Sequence, residues 1–229
     1  MIYPPAKELL EKLSKEQFFE DTKAMLIGGT AIAYHLKHRI SYDIDITFPY
    51  HEILPPLDIL KNYPNIKKLP LDTYIIEKAK DEGENIDNYY QRYSIDGVKV
   101  DFVSNLGKNI YETNLYKPKI TTKHNKLNIA PLDTLFQIKS LLLLDRNRIR
   151  DLYDIVFMLK EKNFCGNDIF DTILKYRITY TKNSIYRYIE DKTPDILDIK
   201  SEGITNPKMD ITNYQELKKY LLTELKKYL

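Results

Sequence analysis

Apolar positions change period several times before residue 130 and then keep one period to the end of the chain. In PAKELLEKLSKEQFFE (5–20), Leu9, Leu10, Leu13 and Phe18 fall at helical spacing behind Pro5, a residue suited to a first helical turn. KAMLI (23–27) is a short apolar run of strand length, interrupted by Gly28-Gly29, after which TAIAYHLKH reads as a helix. YDIDITF (42–48) alternates and is rich in β-formers, so it predicts a strand. A helix is expected behind the Pro55-Pro56 break. DTYIIEKAK, YYQRYSID and VKVDFVS read as strands joined by hairpins, with polar DEGENIDN and Gly97 supplying the turns. KITTKHNKLNI predicts one further extended piece.

From Ala130 the helical period takes over. APLDTLFQIKSLLLLDRNR, RDLYDIVFMLKEKN, NDIFDTILKYR, NSIYRYIEDK and TNYQELKKYLLTELKKYL predict five helices, and TPDILDIKSEGITNPKMDI (193–211) predicts a loop. The expectation is an α+β protein of two domains. A domain of mixed sheet and helices covers residues 1–128 and an α-helical bundle covers 129–229, with the boundary near 126–131.

Composition narrows the classes. With 229 residues, 43% hydrophobic and 30% charged, the chain can bury a core and extended disorder is excluded. Thirty-five basic residues against 33 acidic ones leave +2, too little to identify a nucleic-acid partner. No apolar run approaches membrane-spanning length, and MIYPPAKELLEKL lacks a signal-peptide pattern, so a soluble protein with no membrane partner is expected. The single cysteine, Cys165, forbids an intramolecular disulfide and fits a cytoplasmic location. His35, His38 and His124 are too scattered for a zinc site.

The carboxylates in YDIDITF change the picture most. On a strand, Asp43 and Asp45 share a face with Ile44 opposite, about 7 Å apart. Like charges so placed either face solvent or hold a cation, and Mg²⁺ favours a few carboxylate oxygens completed by water and phosphate. Asp101 interrupts VKVDFVS in the same way and offers a third acid for a two-cation site. Glycines ahead of a helix let phosphate approach the free N–H groups of its first turn, a use open to Gly28-Gly29.

Strand, Gly-Gly turn, short helix, Asp-x-Asp strand and a later one-acid strand together resemble the nucleotidyltransferase fold of the DNA polymerase β superfamily. In finer detail, GGTAIAYHLKHRISYDIDI resembles the AbiEii/AbiGii toxin family, whose first motif runs Gly-Gly-Thr-Ala, a His/Arg-Ser element and Asp-x-Asp. The matching positions are Gly28, Gly29, Thr30, Ala31, His38, Arg39, Ser41, Asp43 and Asp45. The helical half continues the likeness with Lys139, Arg146, Asp151 and Asp154, and Arg150 stands where the family commonly has lysine. The resemblance covers roughly residues 26–160.

On this resemblance, Asp43, Asp45 and Asp101 hold Mg²⁺ or Mn²⁺. Gly28, Gly29, Thr30, Arg39, Ser41, Lys139 and Arg146 contact the nucleotide, and Lys139 and Asp151 join the acids in catalysis. The residues themselves leave alternatives. Lys139 sits among leucines, either beside an anion or snorkelling to solvent, and shares a helical face with Arg146. Asp151 and Asp154 stand where a helix start could use them as caps. The implied activity moves a nucleoside monophosphate from an NTP to an acceptor and releases pyrophosphate. The implied setting is a toxin–antitoxin or phage-defence system, with RNA as a possible acceptor and an antitoxin protein as a possible partner. A small-molecule or protein acceptor, or a non-catalytic nucleotide-binding module, fits the same residues. An RNA acceptor calls for a basic stripe, for which Lys117, Lys119, Lys123, Lys126, Arg146, Arg148 and Arg150 are the candidates.

Overall fold

The computed structural model describes residues 1–104, 110–194 and 204–229, so residues 195–203 of the expected loop lie outside it. The chain divides into two compact units, one of Met1–His35 with Ser41–Pro131 and one of Leu36–Ile40 with Leu132–Leu229.

The first unit is built on a mixed seven-stranded sheet in the order β3-β4-β5-β2-β1-β7-β6. Its strands are β1 (Met25–Ile27), β2 (Ile44–Phe48), β3 (Ile66–Leu69), β4 (Tyr90–Ile95), β5 (Val98–Ser104), β6 (Thr122–His124) and β7 (Leu127–Ile129). β2 runs parallel to β5 and antiparallel to β1, while β1 runs parallel to β7. Alternation sorts the side chains. Ile44, Ile46 and Phe48 of β2 and Val98, Val100 and Phe102 of β5 are buried on one face, which leaves the acids of both strands on the other. Helices α1 (Pro4–Leu13), α2 (Gln17–Asp21), α3 (Gly28–Leu36), α4 (Thr73–Asp81) and α5 (Ile110–Leu115) complete the unit. Ala6, Leu9, Leu10 and Leu13 form the buried stripe of α1.

Several local expectations are corrected. DTYIIEKAK is not a strand; it forms α4, in which Ile75, Ile76 and Ala79 share one helical face and Lys78 and Lys80 suit the last turn. Behind Pro55-Pro56 lies only a 3-10 turn (Asp58–Asn62), followed by β3, a strand with no clear alternation in its sequence. KITTKHNKLNI does not stay extended but folds back as the β6–β7 hairpin, with Asn125 at φ 52°.

The second unit is helical: α6 (Leu132–Asp145), α7 (Ile149–Glu161), α8 (Gly166–Tyr176), α9 (Lys182–Asp191) and α10 (Tyr214–Lys226). Its centre lies along α6 and α7, buried from Thr134 to Leu144 with short breaks and from Asp151 to Leu159 without one. Residues 36–40 belong here. Ile40 N–H donates to the Thr205 carbonyl (3.0 Å), Lys208 N–H to the His38 carbonyl (2.9 Å), and the Tyr153 hydroxyl lies 3.3 Å from that same carbonyl.

Candidate active site

Register assembles the acids of the first unit. Asp45 on β2 is the lateral partner of Asp101 on β5, and Asp101 is in turn the partner of Arg92 on β4. Partners on neighbouring strands project from the same face, so Asp45, Asp101 and Arg92 form a row across three strands. Asp43 lies one residue ahead of β2, where Lys99 Nζ donates to its carboxylate at 2.6 Å.

Asp101 is the most enclosed of the three acids, at 6% exposure. Its Oδ1 accepts from Arg92 Nε (2.8 Å), and its Oδ2 accepts from the Tyr90 hydroxyl (2.9 Å) and Arg92 Nη2 (3.2 Å). Arg92 also donates to the Tyr90 oxygen. Burial, reinforced by the neighbouring Asp101 charge, pushes the Tyr90 phenol well above its ordinary range, so it remains a donor.

The start of α3 abuts the row. Gly28 has φ +73°, and a Cβ built there would overlap the Asp45 carboxylate. The N–H groups of this first turn, Gly29 among them, lie beyond the reach of intrahelical bonding. Thr30 is fully buried. Its hydroxyl donates to the Asp43 carbonyl and lies 2.9 Å from the Ser41 hydroxyl, so this pair braces the loop that delivers Asp43.

The second unit gathers the remaining motif residues. Lys139 on α6, 4% exposed, pairs with both Asp151 and Asp154 of α7 (2.8 Å to Asp154). Arg146 Nε donates to Asp151 at 2.6 Å, and Arg39 grips Asp154 with Nε at 2.7 Å and Nη2 at 3.0 Å. His38 Nε2 lies 2.6 Å from Asp154, while His38 Nδ1 is buried with no partner among the described residues. Burial would raise both carboxyls, but the surrounding cations outweigh it. Lys139 and Arg146 hold Asp151 below the usual range, and Arg39 and Lys139 hold Asp154 well below it. Burial lowers the His38 imidazole against the pull of Asp154, and the neighbouring Arg39 charge adds to the lowering. Nε2 then carries the proton and donates to Asp154.

Asp151 and Asp154 therefore bind cations instead of capping α7, and the Arg148 N-cap makes no side-chain cap bond. Lys139 has anionic partners and does not snorkel. The nitrogens expected to reach a triphosphate from Lys139 and Arg39 are committed within this cluster, and Arg146 is bound there too, its Nη2 also donating to Asp151 at 3.1 Å. Among the stripe candidates, Lys123 pairs with Glu20 (2.8 Å) and Lys117 lies over the Tyr50 ring. Cys165 opens α8, where Asp168 accepts from its N–H at 2.8 Å. Among the described residues no three His, Cys, Asp or Glu side chains gather tightly enough to hold a metal ion.

The family model for the AbiEii nucleotidyltransferase toxin of type IV toxin–antitoxin systems matches residues 8–226. The chain belongs to the AbiEii nucleotidyltransferase family. This match extends well past the 26–160 stretch that carries the motifs. No curated protein matches. Among solved structures, JHP933 of Helicobacter pylori is similar at TM-score 0.53 and 16% identity, over 99% of this chain and 92% of that one. A second H. pylori structure, provisionally assigned as a nucleotidyltransferase, is similar at TM-score 0.51 and 16% identity, over 96% and 92% of the respective chains. At that identity the likeness concerns the fold. This AbiEii-family protein is thus a nucleotidyltransferase with the mixed-sheet fold of those two structures, and no helix among its described residues is long and apolar enough to cross a membrane.

Sequence reasoning did not single out Arg92, Tyr90 or Lys99. The signal was present: Asp96-Gly97 is a two-residue hairpin turn that pairs Ile95 with Val98, and counting outward brings Arg92 opposite Asp101.

Proposed function

We propose that this AbiEii-family enzyme transfers a nucleoside monophosphate from an NTP to RNA, using a divalent cation held by Asp43 and Asp45. The observation that carries the reading is the lateral pairing of Asp45 with Asp101 beside the start of α3, with Asp43 on the same side. The donor set suits a hard cation: carboxylate oxygens, with the Lys99 ammonium as a displaceable counter-ion. The cation would be Mg²⁺ or Mn²⁺, and when bound it neutralises charge on the phosphates.

The chain's own groups do the rest. N–H groups at Gly28-Gly29 and the dipole of α3 receive phosphate oxygens, and Asp101, oriented by Arg92 and Tyr90, aligns the attacking hydroxyl. A bond forms from the acceptor oxygen to the α-phosphorus, the bond to the bridging oxygen breaks, pyrophosphate leaves, and the acceptor proton passes to solvent. Lys139, Asp151, Asp154 and Arg39 act within the helical unit by holding α6 against α7.

An RNA acceptor is favoured by Tyr50, 54% exposed, whose ring has the ammoniums of Lys23 and Lys117 5.3 and 5.8 Å from its centroid. An exposed ring between cations suits an unpaired nucleotide, stacked through its base and steered through its phosphate. The partner in the cell would be an antitoxin, and the location cytoplasmic.

The test is incubation of the protein with each α-labelled NTP, Mg²⁺ and total cellular RNA. Label should enter RNA with wild type, and an Asp45→Asn variant should lose at least 100-fold in rate. Label entering only protein or a small molecule overturns the RNA acceptor, and unchanged transfer by Asp45→Asn overturns the site.

A further inference from the structure

We infer that Arg92 stands in place of one of the two divalent cations that paired-acid transferases of this kind can carry, so that this site takes a single cation. The inference rests on the metal reading above and concerns how many ions Asp43, Asp45 and Asp101 can share.

The three acids are held very differently. Asp43 has one ammonium on it, from Lys99, and both side chains are about one-third exposed, at 34% and 31%. A lysine tip at the surface swings away easily when a doubly charged ion arrives. Asp101 instead has both oxygens bound by a guanidinium fork and a phenol hydroxyl, in a pocket where Arg92 and Asp101 side chains are 19% and 9% exposed. Planar two-point pairing is the strongest ion pair side chains make, and here the backbone register of β4 and β5 preorganises it. For a second cation to use Asp101, Arg92 would have to leave a partly buried position and strip Tyr90 of the acceptor its hydroxyl donates to.

Arg92 is also placed to supply charge. Nε and Nη2 face Asp101 and Tyr90, and Nη1 makes no hydrogen bond to a described residue, so its two N–H groups can meet a phosphate or acceptor oxygen beside Asp45. A fixed guanidinium carries one positive charge with directed donors, where a second ion would bring two charges and exchangeable waters. Arg92 is thus a positioning residue for Asp101 and a charge provider in its own right.

The test counts Mn²⁺ by electron paramagnetic resonance on the full chain, with and without α,β-methylene analogues of the four NTPs. Wild type should saturate at one Mn²⁺ per chain in both conditions. Arg92→Met should roughly double bound Mn²⁺ with analogue present, because Asp101 is released, and Tyr90→Phe, which keeps the fork, should stay at one. Two ions on wild type overturn the inference whether or not Arg92→Met folds, as does a folded Arg92→Met that still binds one. No Mn²⁺ on wild type would overturn the metal reading itself, an outcome distinct from either.

Discussion

Gly28 shows how a residue can have a second duty beneath the obvious one. A glycine ahead of a helix suggests close approach by phosphate, and its left-handed φ of +73° is the conformation glycine tolerates best. The nearest group to its missing side chain is, however, the Asp45 carboxylate. Gly28 therefore sets where Asp45 can stand, and backbone and acid are coupled at a single position. Replacing Gly28 with Ala adds both a strained φ and an overlap with Asp45, so Gly28→Ala should lose about 1–3 kcal/mol of stability. It should also weaken Mn²⁺ binding at least tenfold. Denaturant melts and Mn²⁺ titration measure the two effects, and unchanged Mn²⁺ affinity would show that Gly28 serves phosphate alone. The same-face spacing of Asp43 and Asp45 was readable from alternation; the contact with Gly28 was not, because it joins residues on different elements.

At the scale of elements, the α6–α7 pair explains why a lysine sits among leucines. Lys139 lies in a helix buried along most of its length, with Asp151 and Asp154 one helical turn apart on α7 to receive it. A buried charge group of this kind adds little over a well-packed apolar one, but replacing Lys139 takes one buried charged hydrogen bond from each of Asp151 and Asp154, which keep Arg146 and Arg39 respectively. Lys139→Met should therefore destabilise the protein by about 1.5–3 kcal/mol, measured by urea denaturation. A loss below about 1 kcal/mol would mean that the ion pairs are not closed in solution. The helices themselves were legible from their period. The pairing of Lys139 with those two acids depends on how α6 and α7 pack, which the period of each helix alone does not specify.

Over the whole molecule, the chain leaves its first unit at His35, passes residues 36–40 through the helical unit and returns at Ser41. The basic element of the first motif is thereby split. Ser41 stays with Thr30, while His38 and Arg39 bind Asp154. This passage makes stability depend on pH. His38 has a lowered proton affinity when folded and about 6.5 when unfolded, so the unfolded state takes up the proton first as pH falls. Its contribution is complete above pH 6.5 and is lost on acidification. Asp151 and Asp154, also lowered, add a second loss below about pH 4 with the same sign. The melting temperature should be flat above pH 7 and fall below pH 6.5, as the unfolding free energy drops by up to about 1.4 kcal/mol per pH unit. His38→Gln should flatten the upper part of that fall. A wild-type melting temperature unchanged between pH 7 and pH 5 would show that the imidazole is charged in the fold.

Sequence by itself determined the acid pair at the start of its strand, the third acid on another, the glycine pair before a helix and the change from mixed to helical elements, because each is written in local period and residue type. It also carried the hairpin count that sets Arg92 against Asp101, since a two-residue turn leaves no freedom of register. Tertiary structure alone decided that α4 is a helix, that residues 36–40 join the helical unit, and that Lys139 and Arg39 are bound by carboxylates of α7. Those outcomes depend on which surfaces meet. A short apolar run suits a strand or a helix equally well, and a buried cation takes the anion that packing brings to it, whatever their separation along the chain.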